Sequence, residues 1–355
     1  MRMKEFQDTS LIRQVTSSIH QAAEKLNGKP VKFMEVCGSH TMAIGHWGIR
    51  KLIPETIKLI SGPGCPVCVT PSSVIDELIR LKGVTIATFG DLLRVPGSLG
   101  NLEEARARGA RVETIYSPLE ALKLAEKEET ILVGIGFETT IPGIAHTILE
   151  AQRRKLKYFS VFCLAKLIPP ALEALLRDDQ AAINGFILPG HVSVIIGLKA
   201  YTFLSERFRI GGVVTGFEPL DILLGILRLL EQLPNPEIIN EYSRVVKPQG
   251  NEEAQKMIKK VFGVSPALWR GLGWLPDSGL VIRGEYEEYD AQKRYNLRVR
   301  ETEPHPECLC GEMLRGRIKA TDCPLFAKTC TPVHPVGPCM VSSEGSCAAH
   351  YKYER

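Results

Sequence analysis

Short apolar segments alternate with helical patterns through the first two thirds of the chain, and this alternation constrains the fold more than any other feature. Segments typical of buried strands cover 31–36, 57–60, 84–88, 131–135, 186–188 and 213–214. Patterns typical of helices lie between or beside them, for example over 9–27, 42–52, 117–128 and 140–154. Strands that alternate with helices pair in parallel. We therefore predict an α/β fold built on doubly wound parallel sheets.

A chain of 355 residues is long enough for two or three domains, each with its own core. The pattern changes after residue 233, where helices are predicted over 236–247 and 251–263. We predict two α/β domains of similar design and a third, mainly helical and irregular domain. The predicted domains comprise residues 30–128, residues 129–233, and residues 1–29 together with 234–355.

Composition and charge exclude several classes of function. The net charge of +4 comes from 44 basic and 40 acidic residues without a basic run, so no nucleic-acid partner is expected. The most apolar segment, 220–230, is interrupted by Asp221 and Arg228, so no membrane span is expected. The first residues lack the pattern of a secretory signal, and we expect a cytoplasmic protein. In that compartment ten cysteines favour metal or redox chemistry over structural disulfides.

Two of these cysteines, Cys65 and Cys68, lie three residues apart ahead of a predicted helix with Thr70 as N-cap and Pro71 as its first residue. Unpaired N–H groups and the helix dipole at such a position favour thiolate over thiol. The pair is typical of a dithiol redox site, of half a zinc site, or of two inert thiols. Pro66 and the preceding glycines narrow the loop and favour an exchangeable pair.

The last 48 residues contain six of the ten cysteines and few large apolar side chains. Such a segment cannot order itself by burial alone, so a metal or a cluster is its expected organiser. The spacing is Cys310-x12-Cys323-x6-Cys330-x16-Cys347, with Cys308 and Cys339 as additional thiols. Zinc sites usually have paired short spacings, whereas single cysteines on loops favour a [4Fe-4S] cluster. Zinc or free thiols remain alternatives, and Cys339 could replace Cys347 or Cys310.

Polar residues also follow several of the predicted strands, where open α/β sheets place their ligand sites. Cys37 and His40 could be two ligands of one ion or a thiol with a base, but a lone cysteine in such a loop is commonly inert. His191 could be a hydrogen-bonded structural histidine. Glu138 and Glu218 each follow a Gly-Phe pair, and each could simply cap the next helix. Cys163, in an apolar strand, is interpreted as a small buried hydrophobic residue.

Six motifs together resemble the HypD family of hydrogenase maturation factors, in the order found in that family and over nearly the whole chain. They are Cys37-Gly-Ser-His-Thr41, Gly62-Pro-Gly-Cys-Pro-Val-Cys68, Gly136-Phe-Glu-Thr-Thr140, Pro189-Gly-His-Val-Ser193, Gly216-Phe-Glu-Pro219 and Met340-Val-Ser-Ser-Glu-Gly-Ser-Cys-Ala-Ala-His-Tyr351. The resemblance implies two α/β domains and a third domain that carries an Fe-S cluster.

The same resemblance implies a cytoplasmic assembly protein for the active-site iron of [NiFe]-hydrogenases. Such a protein works with the chaperone HypC, receives cyanide from HypE, builds an Fe(CN)2(CO) unit and passes it to the hydrogenase large subunit through HypC. By matching motif, Cys37 is the thiol closest to the nascent iron, and Cys65 with Cys68 is the redox-active pair. The cluster ligands implied are Cys310, Cys323, Cys330 and Cys347.

Several further residues are expected to line the same crevice, where they would orient ligands and move protons. They are His40, Thr41, Glu138, Thr139 and His191. The protein is then an assembly scaffold with redox activity rather than a conventional turnover enzyme. The alternatives are an Fe-S-dependent disulfide reductase resembling ferredoxin:thioredoxin reductase, and a structural zinc protein with an interaction role.

Overall fold

Eleven strands and sixteen α-helices are found in the computed structural model, which describes residues 6–178, 180, 182–303 and 305–355. The strands are β1 (Val31–Glu35), β2 (Ile57–Ser61), β3 (Thr85–Thr88), β4 (Val112–Thr114), β5 (Thr130–Gly136), β6 (Phe159–Ala165), β7 (Gly185–Pro189), β8 (Gly211–Thr215), β9 (Ile238–Asn240), β10 (Phe262–Trp269) and β11 (Gly273–Ile282). The helices are α1 (Thr9–Glu24), α2 (Gly38–His46), α3 (Ile49–Leu52), α4 (Ser73–Arg80), α5 (Leu102–Ala107), α6 (Glu120–Ala125), α7 (Ile141–Arg154), α8 (Ile168–Leu176), α9 (Gly190–Ile196), α10 (Thr202–Phe208), α11 (Pro219–Glu231), α12 (Glu252–Val261), α13 (Ala291–Arg294), α14 (Cys310–Leu314), α15 (Pro338–Val341) and α16 (Ser346–Tyr353). The predicted α/β class is confirmed.

The first sheet has five parallel strands in the order β2-β1-β7-β8-β9. Its central strands are buried on both faces, which explains their continuous apolar sequences. Glu35 pairs with Ser61, and Pro189 pairs with Thr215, so neighbouring strands end at the same level. The loops that follow these strands therefore leave from one edge of the sheet.

The second sheet has four parallel strands in the order β4-β3-β5-β6. Ile131, Val133 and Phe162 of this sheet belong to one continuous apolar cluster with Met34 and Phe186 of the first sheet. The facing sides of the two sheets thus share a core. The loops at their carboxyl ends can meet in a cleft between them.

The sheets do not follow the domain boundary predicted near residue 129. That boundary falls between β4 and β5, which belong to the same sheet, whereas the predicted first domain contributes strands to both sheets. The chain leaves the first sheet after β2, builds the whole second sheet, and returns with β7 beside β1. Gly185 lies in tight contact at this pairing, since a Cβ there would lie 2.9 Å from Cδ2 of Leu229 and 3.1 Å from Cδ1 of Phe33. Local periodicity contains no information on this long-range pairing.

The segment after residue 233 also differs from its prediction. A helix was expected over 236–247, but residues 238–240 form β9, the edge strand of the first sheet, and turns follow. The helix expected over 251–263 is present as α12, and β10 with β11 forms an antiparallel hairpin. Helix α1 packs against α11 of the first sheet, with Ile19 in the same apolar cluster as Ile222.

The C-terminal segment returns to the first sheet through helix α16, which packs against α2. Gly45 of α2 permits this approach, because a Cβ at that position would lie 3.0 Å from the Tyr353 ring. The cysteine-rich region is thereby held beside the loops that follow β1 and β2. Over the described ranges, we find no helix with both the length and the apolar character needed to cross a membrane.

Candidate functional site

A cavity of about 170 Å³ lies where the loops after β1, β2, β5 and β7 meet. Three of the predicted site residues line it, namely Cys37, Thr139 and His191. The remaining lining residues are Val36, Ser39, Gly64, Pro66, Phe137, Thr140, Pro189, Val192 and Glu344. We call it the Cys37 cavity. Its position at the carboxyl ends of parallel strands agrees with the rule for open α/β sheets.

Cys37 is the N-cap residue of helix α2 and is buried. Burial raises the pKa of its thiol to about 11, and the nearby carboxylate of Glu344 adds to the rise. Hydrogen bonds to its sulfur from the backbone N–H groups of Ser39 and His40 act in the opposite direction. The sulfur is therefore a thiol in this environment, but two amides are already placed to stabilise a thiolate once a cation compensates its charge.

The loop that contains Cys65 and Cys68 contacts Cys37 directly through Gly64. The backbone N–H of Gly38 donates to the carbonyl of Gly64 at 2.9 Å. A Cβ on Gly64 would lie 2.3 Å from the backbone nitrogen of Cys37, so only glycine fits here. The glycine-rich loop therefore lies directly against the backbone of Cys37.

Cys65 and Cys68 are both buried, and both are free thiols in the structure. The backbone N–H of Cys68 donates to the Cys65 sulfur at 3.1 Å, and the Cys65 thiol donates to the Ser342 hydroxyl at 3.3 Å. Burial raises the pKa of Cys68, and hydrogen bonds with the Cys339 and Cys65 side chains raise it further. Each sulfur of the pair thus has a defined neighbour in the C-terminal segment.

The expected helix start after this pair is not found. Thr70 does not cap a helix, because its hydroxyl donates to the carbonyl of Pro66 at 2.8 Å and closes the turn that holds the two cysteines. Helix α4 begins only at Ser73. Burial therefore dominates at Cys68 and raises the pKa of its thiol, so the predicted effect of a helix dipole in favour of thiolate is wrong there.

His40 and Thr41 lie behind the Cys37 cavity rather than in its wall. The Nε2 atom of His40 is 3.0 Å from the carbonyl oxygen of Gly216 and 2.9 Å from the Thr215 hydroxyl. Its ring stacks on Phe217, which in turn stacks on His191, with ring centroids 4.6 and 4.2 Å apart. Burial lowers the pKa of His40 to about 4, so it is neutral at neutral pH. This stack holds the His191 ring at the cavity wall.

Glu138 is also buried beside this cavity, although its neighbours Phe137 and Thr139 form the wall. One of its carboxylate oxygens accepts a hydrogen bond from the backbone N–H of Ile168 at 2.9 Å. Its other oxygen, Oε2, is buried without a hydrogen-bond partner among the described residues. Burial raises the pKa of Glu138 to about 7. A carboxyl group with such a pKa can exchange a proton near neutral pH.

All six C-terminal cysteines line a second, small cavity, which we call the cysteine cavity. They are Cys308, Cys310, Cys323, Cys330, Cys339 and Cys347. The rest of its wall is almost entirely apolar and includes Met313, Leu325 and Phe326. Sulfur donors in a dry, apolar shell are the environment of an Fe-S cluster.

The six thiols differ in their packing. Cys308, Cys323, Cys330 and Cys347 belong to or pack against a small apolar cluster with Leu325 and Met340. Cys310 and Cys339 are buried in the large core that contains Cys65 and Cys68, and Cys308 and Cys347 also pack against that core.

Arg270 connects the cysteine cavity with the Cys65/Cys68 loop. Its Nη2 atom donates to the sulfurs of Cys310 and Cys339, at 2.8 and 3.4 Å. Its Nε atom donates to the carbonyl of Cys68 at 2.9 Å. Hydrogen bonds with Cys310 and Cys68, together with the Arg270 charge, outweigh burial and lower the pKa of Cys339. Cys339 therefore contacts both Cys68 of the first pair and Cys310 of the cysteine cavity.

The donor set of the cysteine cavity fits a metal or an Fe-S site. Six thiols line this apolar cavity, and cysteine thiolates are ligands of zinc and of Fe-S clusters alike.

Sequence reasoning did not single out four residues that the structure places at these sites. Arg270, Asp91, Ser342 and Glu344 are each held against thiols or their loops by contacts between distant parts of the chain. Ser342 and Glu344 lie within the C-terminal motif, and Asp91 follows a predicted strand, so weak signals existed for these three. No local pattern marked Arg270.

Comparisons with known proteins agree with this architecture. A family model for HypD, described as the hydrogenase formation hypA family, matches residues 10–354. The hydrogenase maturation factor HypD of Cupriavidus necator is 43% identical over 369 residues, which cover 99% of this chain and 97% of the relative. The HypD proteins of Escherichia coli and Azotobacter vinelandii are 42% and 44% identical, over 97% and 99% of this chain and 94% and 96% of the relatives. The chain therefore belongs to the HypD family of hydrogenase maturation factors.

Proposed function

We propose that this protein assembles the Fe(CN)2(CO) unit of [NiFe]-hydrogenases in a cytoplasmic complex with HypC, and that HypE supplies the cyanide. In this proposal the iron is cargo, which passes to the hydrogenase large subunit through HypC. The observation that carries the proposal is the contact between three thiol sites. Cys37 adjoins the Cys65/Cys68 loop, and Cys68 is hydrogen-bonded to Cys339 at the cysteine cavity.

Four of the six C-terminal thiols would hold a [4Fe-4S] cluster, which supplies electrons one at a time when it is bound. The packing favours Cys308, Cys323, Cys330 and Cys347 as this set. The set differs from the motif-based expectation by Cys308 in place of Cys310. Cys310 is better placed for another role, because its sulfur accepts a hydrogen bond from Arg270 and contacts Cys339.

Cys310 and Cys339 would form a second dithiol that reduces the first by thiol–disulfide exchange. The Cys339 thiolate attacks the sulfur of Cys68, the Cys65–Cys68 bond breaks, and Cys65 departs as a thiolate. The thiolate of Cys310 then attacks Cys339, which releases Cys68 and leaves a Cys310–Cys339 disulfide. Two electrons move toward Cys65 and Cys68, and the two thiolates formed there take up protons from outside the pair that becomes oxidised.

The Cys37 cavity is suited to iron that carries cyanide and carbon monoxide. Such iron is low-spin and ferrous, so it requires a soft thiolate donor and reducing conditions. Cys37 would supply the thiolate, and the neighbouring Cys65/Cys68 dithiol would keep the iron reduced. Thr139 and His191, which line the cavity wall, would donate hydrogen bonds to the bound ligands. Glu138 would take up or release protons nearby, since its pKa is close to 7.

The same thiols could also serve a disulfide reductase that resembles ferredoxin:thioredoxin reductase. That function requires a sulfur that a protein partner can reach. Cys65 and Cys68 are only 3% and 0% exposed, which disfavours this alternative.

The experiment is to purify the protein anaerobically with HypC and to record infrared bands of bound cyanide and carbon monoxide. The variants are Cys37→Ala, Cys65→Ala and Cys68→Ala. The control is Cys163→Ala, because Cys163 lies in β6 and bonds to the carbonyl of Leu280, away from these sites. We expect the bands in the wild type and the control, and their loss in the three variants with the cluster iron retained. Bands that persist in those variants would refute the roles proposed for these thiols.

A further inference from the structure

A chain of hydrogen bonds connects Cys65 to a carboxylate near the protein surface. The Cys65 thiol donates to the Ser342 hydroxyl at 3.3 Å, and that hydroxyl donates to Oδ2 of Asp91 at 3.0 Å. The three residues come from distant parts of the chain. Cys65 follows β2 of the first sheet, Asp91 follows β3 of the second sheet, and Ser342 lies between α15 and α16.

The geometry fixes the direction of each hydrogen bond in this chain. A serine hydroxyl has one proton to donate and two lone pairs that accept. Ser342 accepts from the Cys65 thiol and from the backbone N–H of Glu344 at 3.2 Å, so its single proton is directed to Asp91. Asp91 is held in place by the backbone N–H and the hydroxyl of Ser343, at 3.0 and 2.8 Å. The hydroxyl is fully bonded and has one orientation.

This path of hydrogen bonds matters because it reaches a pair of cysteines that water does not. Reduction of a disulfide requires two protons as well as two electrons, but Cys65 and Cys68 are shielded from water. Ser342 is 1% exposed, whereas Asp91 is partly exposed. The path of hydrogen bonds therefore runs from solvent at Asp91 through the buried Ser342 hydroxyl to the buried Cys65 sulfur.

We propose that Asp91, acting through the Ser342 hydroxyl, is the positioning residue that supplies the proton to Cys65 when the Cys65–Cys68 disulfide is reduced. This inference rests on the redox role proposed above for that pair. When Cys339 or another thiolate bonds to Cys68, the electron pair of the broken S–S bond stays on the Cys65 sulfur. Asp91 takes a proton from solvent and passes it to the Ser342 oxygen, while Ser342 passes its own proton to the Cys65 sulfur. Oxidation reverses each transfer.

A purely structural role for Asp91 makes a different prediction. In that case the carboxylate would only fasten the C-terminal segment to the second sheet, and every hydrogen bond to it would matter alike. Ser343→Ala distinguishes the two roles, because it removes one hydrogen bond to Asp91 and leaves the path from Asp91 through Ser342 to Cys65 intact. Asp91→Glu is a second discriminating variant, since it keeps a carboxylic acid at the solvent end of this path of hydrogen bonds.

The experiment measures the rate at which dithiothreitol reduces the Cys65–Cys68 disulfide in the full chain, purified anaerobically with its iron and then mildly oxidised. Samples are quenched by alkylation, and the peptide that contains both cysteines is quantified by mass. We expect Asp91→Asn and Ser342→Ala to slow reduction on the order of 100-fold, the lower range for a positioned general acid. Ser343→Ala and Asp91→Glu should remain near the wild-type rate, and added formate at constant pH should restore Asp91→Asn.

Two results would overturn the inference. One is a wild-type rate in both Asp91→Asn and Ser342→Ala, and the other is a Ser343→Ala rate as slow as that of Ser342→Ala. A wild-type protein in which no Cys65–Cys68 disulfide can be formed would refute the redox pair of the proposed function as well. The failure of the proton path and the failure of the proposed function are thus separate observations.

Discussion

Gly64→Ala perturbs the contact between Cys37 and the Cys65/Cys68 loop without removing a single functional group. The new Cβ would lie 2.3 Å from the backbone nitrogen of Cys37 and 2.5 Å from the carbonyl carbon of Val36, where ordinary contacts begin at 3.4 Å. The two loops must therefore separate by about 1 Å. Because the obstructing atoms are backbone, no side-chain rotation relieves the clash.

Two contributions determine how much Gly64→Ala lowers the free energy of unfolding. Overpacking of a well-packed site destabilises a protein by about 1–3 kcal/mol, and rigid backbone neighbours favour the upper part of that range. Separation of the loops also weakens the hydrogen bond from Gly38 to Gly64, which contributes about 1 kcal/mol. We expect Gly64→Ala to lower the free energy of unfolding by about 3 kcal/mol and to abolish the infrared bands of the complex with HypC.

The assay is urea unfolding followed by circular dichroism, with infrared spectra of the same preparations. Gly284→Ala is the matched control, because a Cβ at Gly284 would meet no heavy atom within 4 Å. The control should change stability by less than about 0.5 kcal/mol and keep the bands. If Gly64→Ala behaved like this control, the loops would not need their close approach, and the reasoning would be refuted.

Two further predictions concern the cluster and the buried carboxyl group. Cys308→Ser should lose most of the cluster iron in an anaerobic iron analysis, whereas Cys310→Ser should retain it, and the opposite pattern would restore the motif-based ligand set. Burial raises the pKa of Glu138 from 4.5 to about 7, so the folded protein holds this proton more tightly than the unfolded chain does. Ionisation of Glu138 should therefore destabilise the fold by about 3 kcal/mol, a cost that is absent below about pH 4.5 and complete above about pH 8. Urea midpoints across this range should vary less in Glu138→Gln, and an equal pH dependence in both proteins would contradict the raised pKa.

Local sequence patterns were sufficient to find most of the strands but not their order. The apolar runs at 31–36 and 131–135 correspond to β1 and β5, since a strand buried on both faces must be apolar throughout. The pairing of β7 with β1 joins residues about 150 positions apart, which no local pattern records. β9 was mistaken for part of a helix because it has only three residues at the edge of the sheet.

The site shows the same division between local and long-range information. Cys37, Thr139 and His191 were predictable because each follows a strand, and parallel strands end at one edge. Arg270 and Asp91 act only through contacts with residues far away in the chain. Thr70 was misassigned as a helix cap because its hydroxyl bonds to Pro66 instead, a choice that depends on the fold of the loop.

The most direct test of the central claim is to trap the contact through which Cys339 reaches the Cys65/Cys68 pair. In the double variant Cys65→Ser and Cys310→Ser, neither Cys68 nor Cys339 retains its own partner. After mild oxidation of the anaerobically purified protein, peptide mapping by mass spectrometry identifies the new disulfide. The account predicts a Cys68–Cys339 bond that dithiothreitol reverses. A bond between Cys68 and Cys37, or two free thiols, would contradict it.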